Sequence, residues 1–347
     1  MPALEIALPD DFHLHLRDGA MLPVVLADTC RTFGRAVVMP NLVPPVTDVA
    51  AARAYQERIL AARPEGSDFQ PLMTLYLTDA TSSDTVKAAV DSGFVHAIKL
   101  YPAHATTNSA HGVTDLEALD PTLNTMAQLG LPLLVHGEML GPDIDVFDRE
   151  AVFIERVLSP LVKRHPRLKV VLEHITTEQG VQWVLQGSEQ VAGTVTPHHL
   201  IIDRNDLFDG GLRPHHYCLP VAKRREHKQA LRTAVCSGHP RLFLGTDSAP
   251  HTTVAKESAC GCAGIYSAPT AVELYAQVFQ EEGALEHLEA FASVNGPKFY
   301  GLPVNSQRLR VDFDSPTAAP TSRTVAGQGE VLPFHPKAGL RCAAARL

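Results

Sequence analysis

The chain has 347 residues, 45% hydrophobic and 20% charged, with a formal net charge of −8; this is a globular balance, long enough for one α/β barrel of about 250 residues with extensions. Without a Lys/Arg block it offers nothing to bind nucleic acid, and no apolar run reaches the roughly 18 residues of a membrane span. The N-terminal MPALEIALPD lacks the pattern of a secretion signal, and six scattered cysteines (Cys30, Cys218, Cys236, Cys260, Cys262, Cys342) do not suggest a disulfide framework, so a cytoplasmic, reduced protein is expected.

Taken in chain order, DFHLHL (11–16) and RAVVMPNL (35–42) read as strands, and 48–63 reads as a helix. FQPLMTLYLT (69–78) and HAIKLYP (96–102) are the third and fourth strands. A helix is predicted over 114–130, opening on a Thr114 cap with Glu117 three residues on and stopping at Gly130. Strand LPLLVHGE (131–138), helix 147–165, strand LKVVLEHI (168–175) and helix 176–187 follow. VAGTVTPHHL (191–200), helix 223–238 and RLFLGTDSAP (241–250) complete eight strands. The strand runs are mostly apolar throughout rather than alternating, as in a parallel sheet covered on its outer face. Eight strands alternating with helices predict a (β/α)8 TIM barrel. A doubly wound sheet is the alternative, weakened by the lack of G-x-G-x-x-G after the first strand. Residues 267–293 read as one or two more helices. The expected organisation is one barrel with C-terminal helices over 1–310 and an irregular tail over 311–347, with no internal repeat.

Seventeen histidines make histidine placement the next question. Polar residues with ligand chemistry stand at or near the ends of these strands: His13 and His15 in the first, Lys99 in the fourth, His136 in the fifth, His174 in the sixth, Asp247 in the eighth. Barrel active sites are built at that C-terminal face. Lys99 to His136 is 37 residues and His136 to His174 is 38, one βα step each, so these positions return to the same face. His13 and His15 are two apart on a strand and point the same way. Imidazoles with a carboxylate suit zinc, and paired metals polarise a carbonyl and acidify a water. A lysine ammonium has no acceptor and cannot itself be a ligand. Singly, an HxH pair, a strand-end lysine or an aspartate in GTDSAP has an ordinary structural explanation; the joint pattern carries the metal reading. The neighbouring pairs His198–His199 (TPHHL) and His215–His216 (RPHHY) are taken as strand or lining residues, with at most one of each pointing inward. Cys260 and Cys262 lack a second cysteine pair at zinc-ribbon spacing.

The motifs FHLHLRDG, VVMPNLVPPV, AIKLYPAHATTNSAHGV, LPLLVHGE, VVLEHITT, RPHHYCLP, FLGTDSAPH and ESACGCAG resemble, in order from about residue 10 to 303, those of the dihydroorotase family in its compact bacterial (class II) form, within the metal-dependent amidohydrolase superfamily. The resemblance implies two zinc ions. His13, His15 and Asp247 would hold one, His136 and His174 the other, with Lys99 carboxylated to N6-carboxylysine and bridging them together with a hydroxide. It implies that Asp247 shuttles the proton. Arg17, Asn41 and His251 would bind the substrate carboxylate, and backbone groups of Leu219 and Ala263 the ring edge. Thr106 and Thr107 would close over the substrate, with His15 and His136 also touching it. It further implies the interconversion of N-carbamoyl-L-aspartate and L-dihydroorotate by a homodimer without a flanking β-sandwich. The second histidine in each His-His pair departs from the family pattern. Asp18 is left as a turn or supporting residue. The alternatives are another cyclic amidohydrolase, such as a dihydropyrimidinase or allantoinase, and an inactive barrel acting as a scaffold.

Overall fold

The computed structural model describes residues 3–347. A short strand β1 (Ala3–Ala7) precedes eight parallel strands that form one sheet in chain order. These are β2 (Asp10–Leu14), β3 (Arg35–Val38), β4 (Gln70–Tyr76), β5 (Val95–Leu100), β6 (Leu133–Val135), β7 (Val170–Leu172), β8 (Val191–Val195) and β9 (Leu242–Leu244). The sheet curls until its last strand meets its first. Asp247 N donates to His13 O (2.8 Å), and His15 N donates to Ser248 O (3.1 Å) across that seam. The result is the expected (β/α)8 barrel.

Alternation along the strands separates two cores. Residues such as Ile98, Leu100, Leu133, Val135, Val170 and Leu172 face outward into the cluster shared with the surrounding helices. Their neighbours Val37, Leu72, Ala97, Leu134, Val171, Ala192 and Phe243 face inward and fill the barrel with Phe12. The floor is plugged by the helix Asn295–Tyr300, whose Tyr300 ring stacks on Phe12 at 4.9 Å between centroids. Gly296 allows this approach, because a Cβ there would meet Phe12 Cε2 at 2.0 Å. A register shift between Asp11 and Leu14 breaks strict alternation in β2. Both Phe12, in the inner core, and His13, one step above it, therefore reach the interior.

Three expectations need correction. The helix predicted over 114–130 begins only at Asp120, where Pro121 fixes the first turn. Thr114 instead gives its N–H (2.9 Å) and hydroxyl (2.6 Å) to the Asp79 carboxylate. TPHHL is not strand: β8 ends at Val195, and Thr196 caps a short helix Pro197–Ile201, so His198 and His199 are both buried with rings 4.5 Å apart. The tail is not irregular throughout. β10 (Arg308–Asp312) pairs antiparallel with β1 and with β13 (Ala343–Arg346), while β11 (Arg323–Val325) and β12 (Gly329–Val331) form a hairpin. Each tail strand has only three to five residues, and β10 and β13 find partners far away in sequence, which local periodicity does not reveal.

Candidate active site

The inward alternation that fills the barrel continues one step higher into the site. Ala97 is followed two residues on by Lys99, Leu134 by His136, Val171 by Glu173 and Ala192 by Thr194. His174 and Asp247 fall outside this count. Both have a left-handed backbone (φ 43° each), as does Arg17 (φ 58°). For non-glycine residues this conformation is uncommon and costs energy, and it clusters at functional sites. Here it turns side chains at the strand ends toward the axis.

The imidazoles form a contiguous buried group. Ring centroids are 5.4 Å apart for His13 and His15, 4.9 Å for His13 and His174, and 4.8 Å for His136 and His174. Asp247 Oδ1 lies 3.1 Å from His15 Nε2 and 3.5 Å from His13 Nε2. Burial raises the Asp247 pKa, but the hydrogen bond from His15 and the fields of His13 and His15 outweigh it and hold the carboxyl at about 2. Burial and the nearby Lys99 hold His13 and His174 well below the ordinary histidine value, which favours the neutral ring with one free nitrogen lone pair.

Two atoms test whether this group fits metal. Lys99 Nζ and His174 Nδ1 are buried without a hydrogen-bond partner. An unpartnered ammonium at the centre of a barrel is costly, and burial lowers the Lys99 pKa to about 8. A carboxylated lysine and a nitrogen–metal bond would satisfy both atoms. The outer nitrogens are already oriented: His13 Nδ1 lies 2.9 Å from Glu173 Oε2, and His136 Nε2 lies 2.8 Å from Glu138 Oε2. Glu173 also accepts from Thr194 Oγ1 (2.6 Å). Carboxylates behind imidazoles fix tautomer and ring orientation in metal sites. The donor set therefore fits divalent cations of the zinc type.

Beside this group lies a narrow cavity lined by His13, His15, Arg17, Asn41, Thr106, Thr107, His136, His174, Leu219, Asp247 and Ala263, together with Tyr101, Ala249 and Gly264. Lys99, fully buried, and His251, half-buried beside Arg17, are not part of this lining. Arg17 Nε donates to Pro250 O (3.0 Å), and His251 Nε2 lies 3.0 Å from both Arg17 Nη2 and Ala263 O. Burial and Arg17 lower the His251 pKa to about 2, so the ring is neutral. The loop with Thr106 and Thr107 touches the rest of the pocket, because Asn41 Nδ2 donates to Thr107 O (3.1 Å) and Thr107 Oγ1 donates to Ala263 O (3.4 Å). Asp18 is outside the site and pairs with Arg58 (2.8 Å).

The sequence reading missed Glu138, Glu173, Thr194, Asp11 and Thr246. Asp11 accepts from the backbone N–H groups of His13 (3.1 Å) and Thr246 (2.8 Å), so one buried carboxylate binds both sides of the seam that carries His13 and Asp247. A carboxylate flanking a histidine, as in HGE and LEH, is the signal that was present. The trio His198, His199 and Cys218 also clusters closely enough for a metal. However, both His199 nitrogens are engaged, by Thr196 Oγ1 (2.8 Å) and Pro220 O (3.0 Å), and Lys223 and Lys256 place positive charge nearby. His215 and His216 are in a turn, on Glu257 (3.1 Å) and Asp206 O (2.9 Å).

No protein-family model matches the chain. A dihydroorotase of Rhizobium etli is 56% identical over 336 residues, covering 97% of each chain. The crystal structure of a dihydroorotase from Campylobacter jejuni superposes with TM-score 0.89 at 38% identity, over 99% of this chain and 97% of that one. A dihydroorotase from Saccharomyces cerevisiae, solved with 5-fluoroorotic acid, gives TM-score 0.92 at 31% identity over 100% and 99%. With likeness of this extent in both sequence and fold, the chain belongs to the dihydroorotase family of metal-dependent amidohydrolases.

Proposed function

We propose that the chain interconverts L-dihydroorotate and N-carbamoyl-L-aspartate, the ring-closing reaction of pyrimidine synthesis. We further propose that His13, His15 and Asp247 hold one zinc ion and His136 and His174 a second, with Lys99 as N6-carboxylysine between them. The chemistry those cations supply when bound is Lewis acidity at a carbonyl oxygen and an acidified water.

The chain's own residues do the rest. Arg17 presents a guanidinium fork to the substrate carboxylate, with Asn41 and the neutral His251 as further donors. Backbone groups at Leu219 and Ala263 hold the polar edge of the ring. In hydrolysis, water adds to the ring amide carbonyl and the carbon–nitrogen bond breaks. Asp247 takes the proton of the attacking water and delivers it to the departing ring nitrogen. Its low pKa supplies the ionised form this needs. The loop carrying Thr106 and Thr107 excludes bulk water during the reaction. Cyclisation runs the same steps in reverse. The family resemblance is also the basis for proposing a homodimer, cytoplasmic action and a single barrel unit over 1–310; among the described residues no helix is long and apolar enough to cross a membrane.

The observation that carries this reading is the convergence of Asp247 and four imidazoles with Arg17 and Asn41 in one cavity. A ring substrate without a carboxylate would leave the half-buried Arg17 without a counter-charge, which disfavours a dihydropyrimidinase-type activity. The test is a substrate panel on purified protein with metal analysis. Dihydroorotate should be hydrolysed and dihydrouracil and allantoin should not, with close to two zinc ions per chain. Turnover of dihydrouracil at a comparable rate would overturn the assignment.

A further inference from the structure

A buried lysine outside the proposed chemistry stands behind the ring-binding wall. Lys256 is 2% exposed and ends the short helix Thr253–Lys256. Its Nζ donates to three backbone carbonyls, Tyr217 O, Cys262 O and Gly264 O, each at 2.8 Å. Three acceptors use all three protons of the ammonium. Two of those carbonyls bracket Ala263, and the third is two residues before Leu219. Ala263 and Leu219 line the cavity, whereas Lys256 does not.

We propose that Lys256 is a positioning residue that sets ring specificity: it clamps the segments 217–219 and 262–264 together so that their backbone groups present a fixed pattern to the substrate ring. The proposal rests on the dihydroorotase reading above. In a trans peptide the carbonyl of one residue and the N–H of the next point in opposite directions. Holding Cys262 O on Nζ therefore fixes which way the Ala263 N–H points. The segments approach too closely to hold each other loosely. Gly264 N donates to Tyr217 O (3.0 Å), and a Cβ on Gly264 (φ 153°) would meet Ala249 O at 2.4 Å. Ala263 O is held separately, by His251 and Thr107, so the carboxylate side of the site has its own support. A neutral side chain of the same length would leave Cys262 O and Gly264 O without that donor. Buried carbonyls in that state turn toward other donors.

The test compares Lys256→Met and Lys256→Gln with the unaltered enzyme, with metal content and melting temperature measured alongside. Lys256→Met should raise KM for dihydroorotate and the inhibition constant of orotate about 10-fold or more, while kcat stays within about 3-fold. Zinc content should be unchanged, and so should the inhibition constant measured for succinate, which carries the carboxylate and lacks the ring. Lys256→Gln keeps two N–H donors and should fall between the two. If Lys256→Met does not fold, the Gln variant carries the same comparison. Unchanged KM in either folded variant would overturn the proposal, as would equal weakening of succinate and orotate or a fall in kcat that follows lost zinc. Hydrolysis of dihydroorotate by the unaltered enzyme tests the underlying reading separately.

Discussion

Arg17 shows how one residue is prepared for one task. Its left-handed backbone (φ 58°) turns it off the end of β2, Tyr55 Oη donates to its carbonyl (2.6 Å), and Pro250 O takes its Nε proton. Nη2 faces His251 Nε2 (3.0 Å), and Nη1 is left for an anion. Arg17→Ala should raise KM for dihydroorotate about 10- to 100-fold with little change in kcat, as removal of a charge-assisted hydrogen bond implies. An unchanged KM would exclude the anchor role. Asp247→Asn keeps shape and loses the proton acceptor, so kcat should fall by at least about 100-fold while KM moves little. Comparable losses in both would make Asp247 a binding group. At this scale the sequence was informative because polar residues with ligand chemistry stand at the strand ends, and Lys99, His136 and His174 recur one βα unit apart. Glu138 and Glu173 stand beside histidines in HGE and LEH, but which imidazole each supports was not legible, and Glu173 in fact holds His13 rather than its neighbour His174. An acidic residue is common anywhere, and only the folded contact reveals which imidazole or amide it holds.

The elements explain why the histidines stand where they do. The inner core of β2 to β9 lies directly below the site, and the helix Asn295–Tyr300 closes it from beneath. Phe12, which that helix packs on, is the residue before His13. Gly296→Ala pushes a methyl into the Phe12 ring, so it should cost about 1–3 kcal/mol as overpacking does. The melting temperature should drop, and Phe12→Leu in the same chain should recover part of it. Strict additivity of the two substitutions would show that the contact does not matter. The eight barrel strands were legible because long apolar runs are a strong local signal. β1, β10 and β13 were not, since they are partly exposed, stand outside the repeating strand–helix order and pair with partners far away in the sequence. The TPHHL helix was missed for a related reason: its five residues follow directly on β8, and only the Thr196 cap and Pro197 mark the change.

The whole barrel has a seam, and the proposed first metal site lies across it. β2 and the chain after β9 meet through Asp247 N to His13 O and His15 N to Ser248 O. The side chains of the same His13, His15 and Asp247 are the proposed ligands, so a bound cation would link the two ends of the sheet independently of those hydrogen bonds. His136 and His174 would tie β6 and β7 to the same centre. A ligand that binds only the folded state stabilises it by about 4 kcal/mol at a 1,000-fold excess over its Kd. Dialysis against a chelator should therefore abolish turnover and lower the melting temperature together, and added zinc should restore both in proportion. The local signature is more specific. Amide hydrogens of His15 and Asp247, protected by seam hydrogen bonds, should exchange faster in the metal-depleted protein, while those of β4, which carries none of the proposed ligands, change least. Loss of activity and zinc with unchanged protection at the seam would place the cations elsewhere than on His13, His15 and Asp247.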